Sequence, residues 1–192
     1  RILKGIDKAL EVGLDQIKVN VVVQKGVNDH TLLDLLRHFK DSRVIVRFIE
    51  YMDVGNINGW KMEEVLPSRD LLEKISSEMP LEPVNKNYIG EVADRYRYID
   101  GSGEVGFISS VTETFCQDCT RARIATDGKL FTCLFASDGF DLRGPIRNGS
   151  TDEEIEDLII DVWKKRKDRY SEIRSYMRDK AEKKIEMYQI GG

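Results

Sequence analysis

Three consecutive stretches decide the fold class: QIKVNVVV (residues 16–23), DHTLLDLLRHFKDS (29–42) and RVIVRFIEYM (43–52). The first and third are rich in β-branched residues, which suit a pleated, half-buried surface. The middle one carries leucines at helical spacing. A strand, a helix and a second strand in this order imply parallel pairing with a crossover helix, hence an α/β fold. Within the first strand, Ile17, Val19, Val21 and Val23 share one face, while Lys18 and Asn20 lie on the other. A polar face on a central strand must line something wet or charged. Lys18 is therefore a ligand candidate if the strand is interior, and a guard against aggregation if it is an edge.

Upstream, RILKGIDKALEVG (1–13) reads as an amphipathic helix, with Ile2, Ile6, Ala9 and Leu10 at helical spacing and Gly13 as its C-terminal cap. Downstream, the loop DVGNINGWKM (53–62) leads to Ser68, the expected N-cap of a helix over RDLLEKISSEM (69–79). Near Pro80 the pattern changes. DRYRYIDGSGEVGFISSV (94–111) reads as two strands around a Gly-rich turn, and RARIATDGKLFTCLF (121–135) contains the hairpin signal Asp127-Gly128. The expected organisation is one region over 1–80 and a second, irregular and β-rich, over 81–192, the change falling between Pro80 and Asn87. STDEEIEDLIIDVWKKRKDRY (150–170) is the last firm helix. Thr151 and Glu154 suit a capping box, and Ile155, Leu158, Ile159, Val162 and Trp163 form an apolar stripe. The run KKRKDR (164–169) reads as its solvated C-terminal end.

The chain has 192 residues, 41% hydrophobic and 33% charged, with a net charge of −4. That balance is ordinary for a globular protein and gives no global reason to expect nucleic acid. No apolar run approaches the ~20 residues of a membrane helix, so no membrane partner is expected. Its three cysteines fall in one cluster, which argues against a secreted disulfide framework and for a reducing cytoplasm.

That cluster is FCQDCTRARIATDGKLFTCLF (115–135), with Cys116, Cys119 and, after thirteen intervening residues, Cys133. Structural zinc sites are four-coordinate and closed, yet the chain's two histidines, His30 and His38, lie far along the sequence. In a [4Fe–4S] cluster three thiolates leave one iron open to a substrate atom. A zinc site completed from elsewhere, making the chain a zinc-stabilised binding module without catalysis, and thiols buried as small hydrophobes are the other readings. Arg121 and Arg123 alternate just after Cys119, which on one strand aims both guanidinium groups to one face, a pairing suited to phosphate oxygens.

Together, FCQDCTRARIATDGKLFTCLF, IKVNVVVQKGVND (17–29), RFIEYMDVG (47–55) and the terminal GG resemble the C-terminal half of the GTP 3′,8-cyclase family of radical S-adenosylmethionine (SAM) enzymes, which open molybdenum cofactor biosynthesis. The resemblance implies the last strands of an incomplete TIM-like (β/α) barrel, followed by an irregular β-rich region with an auxiliary cluster and a C-terminal helix. It implies that Cys116, Cys119 and Cys133 hold an auxiliary [4Fe–4S] cluster whose open iron meets guanine. It further assigns Arg121, Ala122, Arg123 and Lys18 to GTP, and Met52 to SAM, although Met52 by itself reads as core filler. Gly191 and Gly192 would take a supporting role in the active site; a frayed end and a ubiquitin-like tail are the other readings of such a terminus. The family's radical-generating CxxxCxxC motif and first barrel strands have no counterpart here. The expected partners are therefore GTP and the N-terminal half of the same enzyme, which would carry a second [4Fe–4S] cluster, and a homodimer is the expected assembly.

Overall fold

The computed structural model describes residues 1–55, 57–178 and 185–189. Its contacts divide the chain into two compact units, the first formed by Arg1–Met52 with Lys61–Phe115, the second by Asp53–Trp60 with Cys116–Gly192.

In the first unit the α/β reading holds. Helix α1 (Ile2–Glu11) precedes strand β1 (Lys18–Val23), helix α2 (Leu32–Phe39), strand β2 (Ile45–Glu50) and helix α3 (Ser68–Glu78). Strands β3 (Leu81–Val84), β4 (Asp94–Tyr98) and β5 (Glu104–Ile108) complete one five-stranded sheet in the order β1-β2-β5-β4-β3. β1, β2 and β5 run parallel, while β3 and β4 run antiparallel. The change of pattern near Pro80 is thus a change from parallel to antiparallel pairing inside one sheet. The compact units divide after Phe115, because β5 pairs with β2 and draws residues 81–115 into the first unit.

The alternation within β1 is as expected: Val19, Val21 and Val23 turn inward while Lys18 and Asn20 stay exposed. Val23, Val46, Phe48, Val105 and Phe107 form the core with Leu32 and Leu36 of α2 and Leu71 and Ile75 of α3, and Ile6 and Leu10 of α1 pack against it. Ile2 remains 82% exposed, outside the apolar stripe expected of it. The cap after α1 forms, with Gly13 N–H bonded to the Leu10 carbonyl and Leu14 N–H to that of Ala9.

Ser68 is not an N-cap. Pro67 occupies that position with no side-chain capping bond, and Ser68 begins the helix. The acceptor comes from another strand: Ser68 N–H donates to Glu50 Oε1 at 2.8 Å. The buried Glu50 carboxylate also accepts from Val111 N–H (2.8 Å), Thr112 N–H (2.9 Å) and the Thr112 hydroxyl (2.5 Å). One carboxylate at the end of β2 therefore anchors the start of α3 and the chain after β5.

The second unit holds a small antiparallel sheet of β6 (Arg123–Ile124), β7 (Lys129–Phe131) and β8 (Phe140–Asp141), and helices α4 (Arg143–Arg147), α5 (Asp152–Lys164) and α6 (Tyr170–Arg178). The Asp127-Gly128 hairpin is present. Gly128 has φ +82°, and a Cβ there would sit 2.7 Å from Arg143 Cβ, so both the turn and the close approach demand glycine. The capping box of Thr151 and Glu154 is complete. Of the α5 stripe, Val162 is buried with Leu158 against Leu130 and Leu142, whereas Ile159 is 37% exposed. A buried ion pair joins Arg174 Nε to Asp53 Oδ1 at 2.8 Å, and the Tyr170 hydroxyl donates to Asp53 Oδ2 at 2.7 Å. Among the described residues no helix is long and apolar enough to cross a membrane.

Candidate functional site

Three free, partly exposed cysteines sit on two loops of the second unit. Cys116 and Cys119 share a turn in which the Cys119 N–H donates to the Cys116 carbonyl at 3.4 Å. Cys133 follows β7, and its sulfur accepts the Phe135 N–H at 3.5 Å. Among the described residues no group of three or more His, Cys, Asp or Glu side chains gathers tightly enough to hold a metal ion.

The thiols nonetheless act on one another and on neighbouring cations. Burial pushes the Cys119 thiol up, but bonds from the Arg121 backbone and side chain and from Arg166 outweigh it and leave this thiol below its ordinary value. Arg121 Nε donates to Cys119 Sγ at 3.4 Å. Burial pushes the Cys133 thiol up, with Asp168 and Cys116 adding to the rise and the Phe135 N–H and Arg166 opposing it. Arg123 is partly buried. That burial and the charge of Arg121 hold it below the usual guanidinium value, while Cys119 and Cys133 pull the other way. The two arginines and the thiols thus share one electrostatic environment.

The two arginines reach it differently from the expected strand alternation. Only Arg123 belongs to β6, whereas Arg121 and Ala122 precede the strand and are exposed.

Lys18 lies in the first unit. β1 stands at an end of the sheet, yet the Lys18 side chain lines a cleft with Arg47, Arg95, Glu91, Glu104 and Gly106. Arg47 Nε donates to Asn20 Oδ1 at 2.9 Å, and Arg95 pairs with Glu104 at 2.7 Å. A Cβ on Gly106 would stand 3.1 Å from Arg47 Cγ, so glycine leaves Arg47 room to lie across β5. Met52, partly exposed, ends the first segment of this unit. Gly191 and Gly192 lie outside the described residues.

Sequence reasoning missed Arg166 and Asp168, which it placed in a solvated charge run. Arg166 Nη1 donates to the Cys119 carbonyl, and Asp168 accepts the Thr132 hydroxyl. A charge run carries no local sign of which members turn inward, so the only available signal was their proximity to Trp163. Arg47 was also missed as a cleft residue, although its alternation with Phe48 in β2 marks it as facing away from the core.

Comparison with known proteins is consistent with this layout. The chain is 46% identical to a GTP 3′,8-cyclase of Staphylococcus aureus (strain bovine RF122 / ET3-1), covering 100% of this chain and 57% of that protein. It is 45% identical to the GTP 3′,8-cyclase of Xanthomonas campestris pv. campestris (strain B100), covering 100% of this chain and 56% of that one. The chain therefore spans a little over half the length of these relatives. A family model described as Molybdenum Cofactor Synthesis C matches residues 44–172, a span that includes all three cysteines and both arginines. The chain belongs to the Molybdenum Cofactor Synthesis C family.

Proposed function

We propose that this chain is the substrate-binding part of a radical SAM GTP 3′,8-cyclase, which converts GTP to (8S)-3′,8-cyclo-7,8-dihydroguanosine 5′-triphosphate in the first step of molybdenum cofactor biosynthesis. The observation that carries the reading is the grouping of three free thiols with Arg121 and Arg123 in one electrostatic environment, inside a chain about 45% identical to GTP 3′,8-cyclases. Cys116, Cys119 and Cys133 hold an auxiliary [4Fe–4S] cluster. The donor set suits one: three free thiols on two loops match three of a cluster's four irons, whereas a closed structural zinc site takes a fourth ligand. In a cluster each thiolate takes its own iron. When bound, the cluster supplies an open iron for a guanine atom.

The chain's own residues do the rest. Arg121 and Arg123 bind phosphate oxygens through charge-assisted forks, and the Ala122 between them adds no bulk. Lys18 supplies a further cation to the triphosphate, and Met52 packs its thioether on the SAM adenine. The radical-generating cluster and the rest of the barrel belong to the remaining part of the enzyme, and the complete protein works in the cytoplasm as a homodimer.

The test is anaerobic reconstitution of the full-length enzyme with iron and sulfide, alongside Cys116→Ala, Cys119→Ala and Cys133→Ala. Each substitution should lower iron content and bleach the broad visible absorption of the auxiliary cluster. Full iron retention in Cys133→Ala, or zinc in place of iron at these thiols, would overturn the assignment.

A further inference from the structure

Residues 164–169, KKRKDR, end α5 and begin the next connection, and two of them turn inward. Only 11% of the Arg166 side chain and 29% of that of Asp168 remain exposed. The Arg166 guanidinium carbon lies 4.9 Å from the centroid of the Trp163 ring, and its Nη1 donates to the carbonyl oxygen of Cys119. Asp168 Oδ2 accepts the hydroxyl of buried Thr132, the residue before Cys133, at 2.5 Å. The same Asp168 oxygen stands 3.4 Å from Arg166 Nε, a buried group that makes no hydrogen bond among the described residues. Such orphaned donors are few in folded proteins and call for a reason.

A single short segment thus grips both cysteine-bearing loops. Arg166 holds the CxxC turn by its backbone, and Asp168 holds the Cys133 loop through Thr132. Arg166 is a cation and Asp168 an anion, each bonded to one of those two loops. A cation beside an iron–sulfur centre favours its more negative, reduced form and raises its potential; an anion does the reverse.

We propose that Arg166 and Asp168 are positioning residues for the auxiliary cluster: they fix the spacing of the two cysteine loops, and their opposed charges set how readily the cluster accepts an electron. This rests on the reading that the three cysteines hold that cluster. Outer partners of this kind orient the ligands of a metal site and tune it.

The experiment uses the full-length enzyme with its radical-generating cysteines replaced, so that only the auxiliary cluster is observed. Midpoint potential by electrode-poised EPR titration and iron per chain are measured for Arg166→Gln, Arg166→Lys and Asp168→Asn, with Cys133→Ala as control. Arg166→Gln should shift the potential downward and Asp168→Asn upward. Arg166→Lys should stay near the parent potential but lose iron faster in air, because a point charge cannot reproduce the guanidinium fork. A purely structural role moves iron content without that opposition of sign. Parent potentials in Arg166→Gln and Asp168→Asn, shifts of one sign in both, or failure of Arg166→Lys and Asp168→Asn alike to hold iron would overturn the proposal. Full iron in Cys133→Ala would instead overturn the cluster reading beneath it.

Discussion

Arg123 is the residue on which the proposed recognition of GTP turns. Burial and the neighbouring Arg121 both disfavour its charge. Two guanidinium groups in one environment repel each other until an anion enters between them. In the proposed function a triphosphate supplies that anion, and its binding would relieve the repulsion and gain charge-assisted hydrogen bonds worth roughly 1.5–3 kcal/mol each. Arg121→Ala and Arg123→Ala in the full-length enzyme should therefore each weaken GTP binding by about ten-fold or more, measured by titration calorimetry, with guanosine binding little changed. Equal affinity of the unmodified protein for GTP and guanosine would remove the phosphate role. These arginines were legible in the sequence because they flank the cysteine motif at short range. Arg166 was not: its burial depends on Trp163 and on the Cys119 turn, 47 residues away.

At the scale of elements, the strands and helices were legible where alternation or helical spacing was local, as in β1, α2 and the α5 capping box. What the sequence hid was long-range. Glu50 reads as one more residue of β2, yet its carboxylate gathers four donors from residues 68, 111 and 112. The expected local cap on α3, Ser68, thereby became unnecessary. Removing one partner of a buried, bonded charge leaves the others unsatisfied, so Glu50→Ala should cost roughly 3 kcal/mol or more in chemical denaturation. The exposed capping box offers a contrast within the same molecule. Thr151→Ala removes one acceptor that water can replace and should cost about 1 kcal/mol. A Glu50→Ala loss no larger than that of Thr151→Ala would show the Glu50 network to be dispensable.

For the whole molecule, the division into two compact units depends on the pairing of β5 with β2, which spans about half the first unit and leaves no local mark in the sequence. The buried Asp53–Arg174 pair, 121 residues apart, is equally silent in sequence. The same limit applies to the terminal Gly191 and Gly192, outside the described residues. Chain ends ordinarily fray. A ubiquitin-like tail needs a compact β-grasp domain before it, whereas here α6 (Tyr170–Arg178) leads toward the end. Two residues without side chains can enter a narrow cavity that larger ones would clash with, and we propose that this tail enters the active site, as the resemblance to GTP 3′,8-cyclases implies. In the full-length enzyme, Gly191→Ala, Gly192→Ala and a two-residue truncation should therefore lower product formation and 5′-deoxyadenosine release from SAM, while iron content and GTP affinity stay near the parent. That separation excludes general unfolding, since Arg121, Arg123 and the three cysteines all belong to the second unit, which carries the tail. Parent-level turnover in all three proteins would leave the glycines a frayed end.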